Sequence, residues 1–248
     1  TMLNEQGWAV TQDSNYEDII YINSHRGSLE KSEAFIKGYI TFMDKASMLV
    51  ARLVNPQPGE RILDCCAAPG GKSMYMATLM DNVGSLMSCD IHEHKIELMN
   101  SNAERLGASI VHTKVQDATK LPDSWNSYFD RVLVDAPCSG LGILQKKLDM
   151  RWRKQESILS ELPPLQLAIL ERAAMTVKEK GYLIYSTCTL NYKENEEVVE
   201  AFLQKHKEFS IIPVADDFPL KSNSGMITTY PPTDDMDGFF MVKMQRIS

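Results

Sequence analysis

The chain has 248 residues, 44% of them hydrophobic and 24% charged, which is globular composition for one α/β domain with a modest extension and excludes a bilayer-spanning apolar run of roughly 20 residues. A formal net charge of −7 excludes a surface dominated by nucleic-acid binding, although a local basic patch remains compatible with it. Five cysteines, an odd number without a repeated C-x-x-C pattern, exclude a disulfide framework and a zinc site and point to a reducing cytoplasm.

The chain starts at Thr1 with no basic-plus-apolar leader, so a piece of a longer protein or a processed product is expected. Residues 1–43 carry no long helical period. Trp8-Ala9-Val10-Thr11 and Ile19-Ile20-Tyr21-Ile22 read as short strands and Gly27 to Lys37 as a polar loop, predicting a small β-rich extension over 1–43. Asp44 is an N-cap for the helical pattern of Ala46, Leu49, Val50, Leu53 and Val54, which Asn55-Pro56-Gln57-Pro58-Gly59 stops.

From there strand-like runs at 61–63, 85–89, 109–112, 131–134 and 182–185 alternate with helical stretches at 73–80, 94–106 and 164–177. That alternation predicts a parallel sheet with helices on both faces, one domain over 44–248. Asn191 and Glu194 have capping-box spacing ahead of a helix whose buried face is Val198, Val199, Phe202 and Leu203. Two closing strands are expected at 209–213 and 239–244, with a Pro-, Asp- and Ser-rich loop over 216–237 between them.

Ligands of open parallel sheets bind at the carboxyl ends of the strands. The first strand runs into Asp64-Cys65-Cys66-Ala67-Ala68-Pro69-Gly70-Gly71-Lys72. Adjacent glycines let the backbone approach a ligand, and a helix N-terminus behind them holds an anionic or polar cofactor. Asp90 follows Gly70 by about 20 residues, the usual place for an acid on a ribose hydroxyl. Asp117 ends the third strand, Asp135-Ala136-Pro137-Cys138 the fourth, and Ser186-Thr187-Cys188 the fifth. Asp90 and Asp117 also suit plain helix or turn caps, and Cys65 and Cys89 suit inert thiols inside strands.

Cys138 and Cys188 lie just beyond strands expected to be neighbours, so both thiols can face one pocket. A thiol is only a few per cent thiolate at neutral pH unless a cation or helix end draws its pKa down, and Lys72 is such a cation. Spacing does not rank the two cysteines. Lys146, Lys147, Arg151, Arg153 and Lys154, with Trp152 among them, suit RNA phosphates or, equally, a solvated face. The histidines form no triad and no metal spacing, and no metal is expected.

In this order, the motifs Asp64 to Lys72, Asp135-Ala136-Pro137-Cys138-Ser139-Gly140, Ser186-Thr187-Cys188-Thr189 and Asp237-Gly238-Phe239-Phe240 resemble the RNA cytosine-5 methyltransferases of the NOL1/NOP2/Sun group. The resemblance runs from about Phe35 to the end. It departs at Met43, where the family commonly has Gln before the Asp, and at Cys65, often Leu. It implies a Rossmann-like class I S-adenosylmethionine-dependent methyltransferase fold with a mainly parallel seven-stranded sheet and an antiparallel last strand. The cofactor is then S-adenosyl-L-methionine, bound by Cys66, Ala67, Ala68, Pro69, Gly70, Gly71, Lys72, Asp90, Asp117 and Asp135.

The resemblance further implies a cytoplasmic enzyme acting on RNA, most like the small-subunit rRNA branch, whose N-terminal RNA-binding domain is missing here. Cys188 is the expected nucleophile, Cys138 assists release of the adduct, Asp135 and Lys72 complete the catalytic set, and a monomer without metal or membrane attachment is expected. The competing expectations are a tRNA substrate, a non-catalytic RNA-binding subunit on the same fold, and a nicotinamide-dependent oxidoreductase. The last would want a G-x-G-x-x-G turn, which Ala67-Ala68-Pro69-Gly70-Gly71-Lys72 does not supply.

Overall fold

The computed structural model describes residues 2–24, 27–145, 158–215, 218–222 and 224–248. A helical turn, α1 (Met2–Glu5), leads into an antiparallel hairpin of β1 (Ala9–Gln12) and β2 (Ile20–Ser24). Residues 29–36, expected as loop, instead form a 3-10 turn at Leu29–Lys31 and a short helix, α2 (Glu33–Ile36). The Ser32 hydroxyl accepts the Phe35 N–H and so starts α2. The extension is therefore the two expected strands, paired as one hairpin, plus helical turns around Leu3, Trp8, Leu29 and Ala34.

Helix α3 (Lys45–Val54) is capped by Asp44, whose carboxylate accepts the Ala46 N–H at 2.9 Å, and ends where Asn55 turns left-handed ahead of Pro56. The alternating part follows as β3 (Arg61–Asp64), α4 (Gly71–Leu79), β4 (Ser85–Asp90), α5 (Glu93–Leu106), β5 (Val111–Val115), β6 (Phe129–Asp135), α6 (Ile158–Thr176) and β7 (Val177–Thr187). It closes with α7 (Glu196–Lys205), β8 (Phe209–Ile211), β9 (Met226–Thr228), α8 (Pro231–Asp234) and β10 (Phe240–Arg246).

The sheet order is β5-β4-β3-β6-β7-β10-β8, parallel through β7 and antiparallel at β10. One edge of β10 pairs with β7. Its other edge is shared: Phe240–Val242 take β9 and Met244–Arg246 take β8. Seven strand positions thus hold eight strands. β9 lies in the stretch expected as loop, where it satisfies the β10 backbone groups that would otherwise lack partners.

Successive residues of the central strands feed opposite cores. Leu63, Val132, Val134, Leu183 and Tyr185 face α6 and α7, whereas Ile62, Leu133 and Ile184 face α3 and α4. Burial on both faces is why these strands read as continuous apolar runs rather than as alternation.

The strand order reverses at β3. From β3 the chain runs outward through β4 and β5, then returns to place β6 on the other flank of β3, so the crevice opens at the carboxyl ends of β3 and β6. Three loops converge there by backbone contact. The Gly142 N–H donates to the Cys188 carbonyl at 3.0 Å, and the Gly238 N–H donates to the Gly142 carbonyl at 3.0 Å. A Cβ on Gly142 would overlap the Gly238 carbonyl. Gly142→Ala is therefore expected to cost about 1–3 kcal/mol through overpacking. A thermal unfolding midpoint lowered by several degrees checks this; an unchanged midpoint would contradict the close approach.

Candidate active site at the strand ends

The cradle after β3 is built by its neighbours. The Ala67 N–H donates to the Cys89 carbonyl of β4 at 2.7 Å, and Ala67 packs with Ile96 and Met99 of α5. The Ala68–Pro69 peptide is cis, and Gly70 sits at φ +98°, a conformation L side chains rarely adopt. A Cβ on Gly71, the first residue of α4, would meet nothing within 4 Å. Open space at a helix N-terminus is what a bound cofactor needs.

Asp90 and Asp117 stand at the ends of adjacent strands beside this cradle. Asp90 is buried and accepts the His92 N–H at 2.9 Å. Asp117 caps the 3-10 turn Ala118–Lys120, accepting the Thr119 N–H at 2.9 Å and hydroxyl at 2.7 Å. Hydrogen bonds from Thr119, its hydroxyl foremost, hold the Asp117 carboxyl below the usual carboxylate range.

Lys72 projects from the first turn of α4 to Asp135 at the end of β6, with Nζ 2.7 Å from Oδ2. The second oxygen of Asp135 accepts the Ser186 hydroxyl from β7 at 2.7 Å, and the Ser47 hydroxyl of α3 lies 3.4 Å from Lys72 Nζ. Burial opposes the ammonium charge, but Asp135 outweighs it and raises the Lys72 pKa, so this lysine stays charged.

Above the pair, the Sγ atoms of Cys138 and Cys188 are 3.1 Å apart. The hydrogen bond between the two thiols draws the Cys188 pKa down; burial and the Asp135 charge oppose this, and the Lys72 charge adds to it. That same contact, together with burial, pushes the Cys138 thiol well up. The pair is thus asymmetric, with Cys188 the more acidic thiol and Cys138 the less acidic one. Cys65 and Cys89 are buried, burial pushing Cys65 well up and Cys89 to about 12; the Cys66 thiol is likewise held up by burial.

The expected capping box does not form. Glu194 ends a 3-10 turn, Tyr192–Glu194, and α7 begins only at Glu196. The Asn191 N–H that Glu194 would cap goes to the Thr189 hydroxyl at 3.3 Å. The Glu194 carboxylate instead turns inward, fully buried, and accepts the Ser139 N–H at 2.8 Å. Gln166 of α6 donates to it at 3.0 Å and to the Pro137 carbonyl at 2.9 Å, and the Ser139 and Thr189 hydroxyls meet at 2.7 Å.

The structure thus brings Lys72, Asp135, Cys138 and Cys188 together and sets Cys66 to Gly71, Asp90 and Asp117 along the same strand ends. Lys146, Lys147, Arg151, Arg153 and Lys154 lie outside the described residues. Sequence reasoning missed Glu194, Gln166 and Ser186; Asn191–Glu194 spacing was itself the signal for Glu194, assigned there to a helix end. Among the described residues, no group of three or more His, Cys, Asp or Glu is placed to hold a metal, and no helix is long and apolar enough to cross a membrane.

A mainly parallel sheet of this order, with a glycine turn after its first strand and acids at the strand ends, defines a Rossmann-like methyltransferase. The solved structure of NSun6 from Pyrococcus horikoshii with SFG matches at 31% identity and a TM-score of 0.81, covering 90% of this chain and 57% of that one. The chain belongs to the 16S rRNA methyltransferase RsmB/F family, whose profile matches residues 51–245. The probable ribosomal RNA small subunit methyltransferase B of Bacillus subtilis is 41% identical over 227 residues, 89% of this chain and 51% of that protein. Its counterpart from Synechocystis is 38% identical over 228 residues, 89% of this chain and 50% of that protein. The chain spans about half the length of these curated relatives.

Asp64 supplies a pH signature of the cradle. It is fully buried, accepting the Ser73 hydroxyl at 2.7 Å, and burial pushes its carboxyl up to about 7. A raised folded-state pKa contributes stability below the unfolded value near 3.8 that is lost as pH rises through about 7. Compared with Asp64→Asn, the natural chain should therefore lose stability between pH 5 and pH 8, roughly 1.4 kcal/mol for each pKa unit titrated. Urea unfolding of both chains at the two pH values measures this; parallel pH dependences would contradict it.

Proposed function

We propose that this chain is the catalytic part of an RNA cytosine-5 methyltransferase that uses S-adenosyl-L-methionine and acts on small-subunit rRNA, with residues 44–248 as the catalytic unit and 1–43 as an accessory one. The observation that carries this reading is the thiol pair, 3.1 Å apart, set against Lys72 and Asp135 beside an open glycine cradle. Two thiols in contact, one made more acidic and the other less, have no use in a simple binding subunit, whereas base methylation through a covalent adduct uses both. NSun6, 31% identical, was solved with SFG, an S-adenosylmethionine analogue, and the relatives named above are rRNA enzymes, which favours rRNA over tRNA.

Cytosine C5 is a poor nucleophile. Addition of the Cys188 thiolate to C6 breaks the C5–C6 double bond and makes C5 enamine-like. S-adenosylmethionine, when bound, supplies an electrophilic methyl group. The backbone from Cys66 to Gly71 holds and orients that cofactor, Asp90 takes its ribose hydroxyls, and Asp117 lines the same side. Asp135 hydrogen-bonds the activated base while Lys72 offsets negative charge next to it. After transfer, C5 passes its proton to solvent, the electron pair of that C–H bond restores the C5–C6 double bond, and Cys188 leaves C6 as thiolate, the step that Cys138 assists. The base must be unstacked or flipped out to reach Cys188. In this reading the cluster Lys146, Lys147, Arg151, Arg153 and Lys154 takes RNA phosphates.

With unmodified 16S rRNA transcript and S-adenosylmethionine, Cys138→Ala should accumulate a covalent protein–RNA adduct on a denaturing gel, and Cys188→Ala should form none. Adduct that survives Cys188→Ala and vanishes with Cys138→Ala would reverse the two roles. Tight nicotinamide-dinucleotide binding without S-adenosylmethionine binding, read by calorimetry, would overturn the reading as a whole.

A further inference from the structure

We propose that Glu194 is a positioning residue for the two-thiol chemistry: its buried carboxylate fixes the Cys138 loop against the Cys188 loop, and so sets the rate at which the covalent adduct is released. The inference rests on the roles proposed above for Cys188 and Cys138 and assigns the residue that keeps them in register.

Cys138 is held on both sides by one hydrogen-bonded cluster. The residue after it, Ser139, gives its N–H to Glu194 Oε2 at 2.8 Å. The residue before it, Pro137, gives its carbonyl to Gln166 Nε2 at 2.9 Å, and that same nitrogen donates to Glu194 Oε2 at 3.0 Å. The other carboxylate oxygen accepts Asn191 Nδ2 at 2.9 Å. Three donors on a fully buried carboxylate replace the water it has lost, and one of them is the backbone of the Cys138 loop.

Glu194 is in turn tied to the Cys188 side. The Tyr185 hydroxyl of β7, the strand that ends just before Cys188, donates to the Glu194 carbonyl at 2.6 Å. Asn195, the next residue, accepts the Thr187 hydroxyl at 2.6 Å and donates to the Thr189 carbonyl at 3.0 Å, so both neighbours of Cys188 are pinned. The residues that follow the two cysteines meet hydroxyl to hydroxyl, Ser139 to Thr189, at 2.7 Å. Among the described contacts Glu194 makes none with either thiol; it acts through Ser139, Gln166 and the 188–195 turn. Removing the carboxylate leaves a buried Ser139 N–H without its acceptor, and the loop must shift to find another. A shift of Cys138 harms the step that Cys138 serves. Binding at the glycine cradle lies on other elements and is spared.

The test is a time course of adduct formation and decay with unmodified 16S rRNA transcript and S-adenosylmethionine, run on the natural chain, Glu194→Ala, Glu194→Gln, Gln166→Leu and Cys138→Ala. Glu194→Ala should bind S-adenosylmethionine normally and form adduct, but release it about tenfold to a hundredfold more slowly, the scale of a misplaced catalytic group. Glu194→Gln, which keeps an acceptor for Ser139, should recover most of the release rate. If Glu194→Ala fails to bind S-adenosylmethionine because it does not fold, Gln166→Leu carries the test by freeing the Pro137 carbonyl and removing one of the three donors on Glu194, and slowed release is expected there too. A folded Glu194→Ala that releases adduct at the natural rate, or that slows formation and release equally, overturns the proposal, as does a Gln166→Leu chain with unchanged release when it must stand in. Persistent adduct in Cys138→Ala confines such a failure to Glu194; its absence there would overturn the underlying reading of the cysteines instead.

Discussion

The ion pair between Lys72 and Asp135 joins the two halves of the sheet where the site requires them joined. Lys72 belongs to the first turn of α4, so its position follows from the glycine turn after β3. Asp135 ends β6, the strand on the opposite side of the switch point. At 2.7 Å, with side chains only 13% and 24% exposed, the pair is well enclosed, and removal of one partner from such a pair costs about 3–5 kcal/mol because the other charge stays behind. A lysine so placed stays protonated next to its carboxylate. Its charge adds to the lowering of the Cys188 pKa, which comes first from the contact with Cys138 and which burial and Asp135 oppose.

The second constraint is the packing of three loops into one rigid corner. The loop after β6, the turn after β7 and the segment before β10 share backbone hydrogen bonds at Gly142, Cys188 and Gly238, with no space for a side chain between Gly142 and Gly238. The β10 strand antiparallel to β7 also brings Phe239 to the Lys72 ammonium, 5.3 Å from ring centroid to Nζ. Flexible side chains would give two thiols a distribution of distances. Loops tied by backbone give them one.

Much of this was legible because strand ends in an open parallel sheet are identifiable from hydrophobic runs. Once Arg61–Leu63, Arg131–Val134 and Tyr182–Tyr185 are taken as strands, Gly70, Asp135 and Cys188 are at their ends without further information. Residues whose role depends on which way a side chain turns were not legible. Glu194 has the spacing of a helix cap and the surroundings of a buried acceptor, and only the Thr189 hydroxyl, which takes the Asn191 N–H, decides between them. Gln166 lies in an apolar helical run and shows its purpose only when α6 packs under Pro137. β9 was hidden because its pairing is set by the free edge of β10 rather than by its own three residues. The difference between the two thiols also escaped spacing, since it depends on their mutual contact and on burial and charges that only the folded chain brings to them.

The central proposal is that Cys188 is the more acidic thiol of the pair and that the Lys72 charge contributes to this. The most direct measurement is the rate of iodoacetamide alkylation at each cysteine as a function of pH, resolved by peptide mass spectrometry, in the natural chain and in Lys72→Met. Cys188 is expected to react first in the natural chain with a midpoint below that of a free thiol, and Lys72→Met to move this midpoint up while Cys138 remains slow in both. A Cys188 midpoint that does not respond to loss of Lys72, or a natural chain in which Cys138 is alkylated first, would contradict it.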